Sequence, residues 1–166
     1  MLEFKKITEE NKEQLFKLIE TVLTNVPYEH FIPYENWEFD SMFDDVNYAP
    51  LYGAFDGDKL VGMAQLYVSQ EMMAGFKKDF NLEEYSVCEL GGNLVLPEYR
   101  GRGITTTLQK MELELAKEKG FDYIISMAHP DNIASCKTLE KVGLKFYKTM
   151  EVANGFLRNL YMLKLK

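Results

Sequence analysis

Leu94-Val95-Leu96-Pro97-Glu98-Tyr99-Arg100-Gly101-Arg102-Gly103-Ile104-Thr105-Thr106 joins an apolar strand to an amphipathic helix through a proline turn and two glycines. The strand is expected over residues 85–96, broken by Gly91-Gly92, a pair that marks a bulge. The helix is expected over residues 103–119, with Ile104, Leu108, Met111 and Leu115 on one face and Gly120 as its stop. Glycines at such a junction let the backbone approach a ligand closely. The helix start then presents unpaired N–H groups at the positive end of its dipole, an arrangement that binds phosphate or pyrophosphate. Neither the Gly-Lys-Ser/Thr of a nucleotide-binding P-loop nor a Gly-x-Gly-x-x-Gly fingerprint occurs, so those two phosphate-binding classes are excluded. The plain alternative is a glycine-rich connection with solvated arginines.

Upstream, residues 2–7 alternate apolar and charged side chains and predict a strand. Thr8 can cap a helix to about Asn25 with Leu15, Ile19, Val22 and Leu23 on one face, ended by Pro27. A proline-interrupted aromatic loop follows (Tyr28, Phe31, Pro33, Tyr34), then a short helix over 37–45. Residues 51–55 and 60–69 read as strands around Asp56-Gly57-Asp58, and 71–84 as irregular. Downstream come a buried strand at 121–127, a helix from Asp131 to Gly143, and a hairpin of 144–152 with 156–166 around Asn154-Gly155. The order predicts a layered α/β domain, and 166 residues predict one domain.

The quoted stretch resembles the acetyl-coenzyme A motif of the GNAT superfamily of N-acetyltransferases, Arg/Gln-x-x-Gly-x-Gly/Ala after a strand and a proline turn. A second motif of that family is matched by Asn132, Ser135, Leu139, Glu140, Lys141 and Gly143, closest to the ribosomal-protein N-terminal acetyltransferase-like branch. The resemblance spans nearly the whole chain. It implies a mixed, mostly antiparallel sheet of about seven strands, splayed near strands four and five and flanked by helices on both faces. It also implies a pantetheine arm lying along the strand at Leu94, Val95 and Leu96 and pairing with the backbone of Leu94 and Leu96. The cofactor would bind at Arg100, Gly101, Arg102, Gly103, Ile104, Thr105 and Thr106, its pyrophosphate on the amides of about Arg102 to Thr106, and Asn132 would contact the pantetheine unless it only caps its helix. Two positions depart from the family. Thr105 replaces the last glycine or alanine, where its hydroxyl is expected to donate to phosphate. Leu139 stands where many members carry a tyrosine that protonates the departing thiolate.

An amine must lose its proton before it attacks a thioester, so a base is needed. Glu89 is the candidate: it interrupts the apolar run Val87-Cys88-Glu89-Leu90, where burial would raise its pKa, unless it faces solvent. Its spacing from Arg100 resembles that of the glutamate base of the histone acetyltransferase branch. Ser135 is the candidate hydrogen-bond donor to the thiolate, unless its own helix satisfies it. Tyr28, Phe31, Tyr34, Trp37 and Met73 are expected to wall the acceptor pocket or else to pack as surface loops. Cys136 reads as a small core hydrophobe rather than a nucleophile, and His129 as structural.

With 19 basic and 26 acidic residues the net charge is −7, which argues against a nucleic-acid partner and permits an amine, small or peptidic, as acceptor. Two cysteines and two histidines are too few for a disulfide framework or a histidine-rich metal centre, so no metal is expected. No run approaches the roughly 20 apolar residues of a membrane span, nor a signal peptide, so the expected compartment is the cytoplasm. The final hairpin offers an edge for a possible homodimer. A non-catalytic acyl-coenzyme A sensor is the alternative function.

Overall fold

The computed structural model describes residues 1–44, 47–152 and 155–166. The strands are β1 (Leu2–Lys6), β2 (Tyr52–Asp56), β3 (Lys59–Tyr67), β4 (Val87–Val95), β5 (Tyr123–Ala128), β6 (Lys145–Val152) and β7 (Phe156–Lys164). The longer helices are α1 (Lys12–Leu23), α2 (Asn36–Ser41), α3 (Gln70–Asp79), α4 (Ile104–Glu118) and α5 (Ile133–Lys141). One sheet forms in the order β1-β2-β3-β4-β5-β7-β6, and β4 with β5 is its parallel pair. The expected α/β class and the seven mostly antiparallel strands are both present.

The parallel pair is short. Val87, Cys88 and Glu89 face Tyr123, Ile124 and Ile125, and pairing stops there. Beyond that point Gly92 holds φ +57°, and a Cβ on it would lie 2.1 Å from Oε1 of Gln65. The register of β3 against β4 shifts at the same place, so the bulge read from Gly91-Gly92 is real. It turns β4 away from β5. Ser126 clasps the base of the fork by donating its hydroxyl to the Leu90 carbonyl at 2.6 Å.

Several boundaries differ from expectation. The stretch 71–84 is largely helical. Ser69 caps α3 by accepting from the Met72 amide, a signal that Gly75 in mid-helix masks. Thr8 caps a single 3-10 turn rather than α1 itself. Asn154, expected at the tip of the last hairpin, and Asp45, at the end of the second helix, lie outside the described residues.

The buried face of α4 is centred on Leu108, Glu112, Leu113 and Ala116, with Met111 and Leu115 at its margin. Glu112 is therefore in the core, and neither carboxylate oxygen has a hydrogen-bond partner among the described residues. Desolvation pushes its pKa up to about 9, and the nearby Tyr52 backbone offsets only part of this. The folded chain thus holds a proton that the unfolded chain releases above the ordinary value of 4.5. Stability contributed at this site falls as pH rises through that window, by up to about 1.4 kcal/mol per pH unit. Urea unfolding at pH 5 and pH 8 should show this slope, and Glu112→Gln should flatten it. Equal slopes in the two proteins would disprove the assignment.

Candidate active site

The fork between β4 and β5 opens into a cavity of about 760 Å³, the size of a ligand site. One end is the turn into α4. Gly101 and Gly103 hold φ of +75° and +74°, which side-chain-bearing residues rarely adopt. Among the described residues, no acceptor pairs with any amide of residues 101–106. The first partnered amide is that of Thr107, to the Gly103 carbonyl at 3.1 Å. Six N–H groups at the positive end of a 15-residue helix make an anion seat. Arg100, Gly101, Gly103, Ile104, Thr105 and Thr106 line the cavity there.

Three features of this end differ from the expected set. The Arg102 side chain stacks 4.8 Å over the Tyr99 ring and donates to the Glu98 carbonyl, so only its amide belongs to the seat. The Leu96 amide donates to the Val61 carbonyl at 2.9 Å, so Leu96 is engaged with β3 and does not line the cavity. By strand alternation Leu94, opposite Met63, faces β3 too, and the edge left free for a pantetheine arm is that of Val95. The assignment of pairing to Leu94 and Leu96 was one residue out of phase. Lys137 and Lys141, one turn apart on α5, also line the cavity beside the anion seat. Their i, i+4 spacing was visible in the sequence, but not which way that face points.

Asn132 caps α5 by accepting from the Ser135 amide at 3.3 Å, and it lines the cavity as well. The Ser135 hydroxyl lines the cavity with no hydrogen-bond partner among the described residues, so its own helix does not satisfy it. Leu139 is buried in the core. Cys136 is buried, donating to the His129 carbonyl and accepting from Asn159, as a core residue would. His129 stacks on His30 and accepts the Asp131 amide, which is a structural role.

Glu89 lines the middle of the cavity, half-buried where the fork begins to open. Desolvation, and next the negative charge of Glu38, push its pKa up to about 8. Glu38 is itself buried, and burial raises its pKa; it accepts from the Tyr48 hydroxyl at 3.0 Å. Tyr34 donates to Gln65 in the same interior network, with Tyr67 beside it.

Of the expected acceptor walls, only Phe31 lines the cavity. Tyr34 is tied into that network, and Met73 is a fully buried core residue. Tyr28 is exposed against Phe156, and Trp37 is exposed, donating to Glu35. Of these rings, Tyr34 turns into the interior while Tyr28 and Trp37 turn outward. Arg158, which sequence reasoning missed, lines the cavity with Val26, Phe31 and Ile32.

Residues 12–144 match the family model described as the acetyltransferase (GNAT) family. The chain belongs to that family, and it is an enzyme that transfers an acetyl group from acetyl-coenzyme A to an amine. An N-acetyltransferase from Staphylococcus aureus Mu50 shares its fold with a TM-score of 0.76 at 18% identity, covering 100% of this chain and 99% of that one. The ribosomal-protein-S18-alanine N-acetyltransferase from Escherichia coli follows it with a TM-score of 0.71 at 13% identity, over 99% and 94% of the two chains. The yncA protein of Salmonella typhimurium, solved with its cofactor acetyl-CoA, gives 0.75 at 13% identity over 99% and 94%. No curated protein matches the chain in sequence.

Proposed function

We propose that the chain binds acetyl-coenzyme A with its pyrophosphate on the amides of residues 101–106 and its pantetheine along the free edge at Val95, and that transfer to the amine is direct. The observation that carries this is the run of six amides, without partners among the described residues, at the cleft between β4 and β5. Bound acetyl-coenzyme A supplies the acyl carbon. Glu89 takes the amine's proton, since its raised pKa matches a base working near neutral pH. Arg100, Lys137 and Lys141 add positive charge around the seat. Asn132 divides its amide between capping α5 and the pantetheine, and the Thr105 hydroxyl lies where a phosphate oxygen can accept from it. The two buried, unpaired cysteines suit a reducing compartment, the cytoplasm.

Coenzyme A release measured with pooled amine classes tests the reading. Turnover with any class supports it. Tight binding of acetyl-coenzyme A with release for none would make the chain a sensor.

Among the described residues Ser135 is the one free hydroxyl donor on α5 at the cavity, since Thr138 donates to the Ala134 carbonyl, and Leu139 has no proton to give. A hydrogen bond from Ser135 to the developing thiolate is worth about 1–3 kcal/mol. Ser135→Ala should therefore lower kcat by roughly tenfold to a hundredfold, with little change in cofactor affinity. An unchanged single-turnover rate between pH 6 and 9 would leave the sulfur to depart unaided.

A further inference from the structure

Arg158 is 3% exposed, on β7 just past the last residue pair with β5. No carboxylate among the described residues lies within salt-bridge distance of it, although the chain is acidic overall. Nη1 donates to the Glu29 carbonyl at 2.8 Å and to the Leu157 carbonyl at 2.7 Å. Nη2 is buried and has no partner among the described residues. A buried guanidinium with an unmet N–H is costly, and an oxygen anion is the group that relieves it. Through Glu29 this arginine also holds the connection between α1 and α2, whose Phe31 and Ile32 line the same cavity. Glu89, the proposed proton acceptor, lines that cavity too.

We propose that Arg158 is a specificity residue: it receives a carboxylate carried by the amine acceptor, so that the substrate class is an amine bearing a nearby carboxylate, with an apolar portion against Phe31 and Ile32. With Nη1 spent on two backbone carbonyls, the donor left over is Nη2; a carboxylate brings it a charged acceptor, whereas an amide offers a neutral one. Electrostatic screening leaves the net charge of −7 little influence over a contact made inside the cavity. The inference rests on the transfer function proposed above.

The test compares leucine with leucinamide, and the peptide amide Leu-Glu-Gly with Leu-Gln-Gly, as acceptors for the wild type, Arg158→Gln and Arg158→Lys. The first pair reads a free amino acid and the second a peptide. The expected result is a wild-type preference of roughly tenfold to a hundredfold in kcat/KM for the acid of at least one pair. Arg158→Gln should abolish that preference, with the loss falling on KM for the acid of the pair. Arg158→Lys should restore part of it. Calorimetry of N-acetylleucine against N-acetylleucinamide on the coenzyme A complex reads the free-acid preference without turnover. A chain that binds acids selectively but transfers to nothing would sink the transfer reading, and with it the acceptor role, while leaving Arg158 a carboxylate site. No acid preference in either acceptor pair or in calorimetry, or a preference that survives Arg158→Gln in a variant with wild-type melting temperature, would overturn the role of Arg158.

Discussion

Gly103→Glu is expected to lower affinity for acetyl-coenzyme A by at least about a hundredfold, the scale set by losing or reversing charged hydrogen bonds. Gly103 stands at the N-cap of α4 with φ +74°, and nothing lies within 4 Å of where its Cβ would be. A side chain there meets no steric clash, so the variant should fold. It pays the left-handed backbone strain of about 1–2 kcal/mol and places a carboxylate among the amides that await a phosphate. Gly103→Asn carries similar backbone strain with much less charge, because asparagine tolerates this conformation. Calorimetry should therefore show Gly103→Asn far nearer to wild type than Gly103→Glu. Near-wild-type affinity in a folded Gly103→Glu protein would place the pyrophosphate elsewhere.

Glu89→Gln is expected to cost about 10²–10⁴ in turnover, the usual contribution of a general base. The pH profile separates this role from simple packing. With its pKa pushed up to about 8, Glu89 is mostly protonated at pH 7 and becomes a competent base as pH rises. Wild-type kcat should therefore climb through about pH 8, and the variant should lack that limb. The deficit should narrow only near the amine's own pKa, about 10 for an alkylammonium such as lysine, where free amine no longer needs a base. Parallel profiles in the two proteins would assign the proton to water instead. Glu38 offers a control: its removal should lower the Glu89 pKa, since its charge is the second cause of the shift.

The anion seat was legible because it is local. Arg100 to Thr106 are consecutive, and a glycine-rich strand-to-helix turn has few conformations, so residue types alone announce partnerless amides. The bulge at Gly91-Gly92 was legible for the same reason, and so were most strands, whose periodicity is written along the chain. Phase was not. Whether Leu94 or Val95 offers its backbone to the cleft depends on which neighbour pairs with β4, and a one-residue slip exchanges the two edges.

The sequence by itself determined the family, the order of the strands and of every longer helix but α3, the glycine turn into α4 and the misfit of a glutamate in an apolar strand. Each is carried by neighbours in the chain, where sterics and spacing act directly. Tertiary structure decided which groups face the cavity and what their burial does to them. It brought Arg158 from the last hairpin against Glu29, 129 residues away in sequence, and left one of its nitrogens unmet among the described residues. It turned Glu112 into the core and Tyr34 and Met73 away from the cavity. It also set Glu38 close enough to Glu89 to help raise its pKa. Burial and long-range electrostatics depend on distances through space, and the one-dimensional pattern of a chain does not encode them position by position.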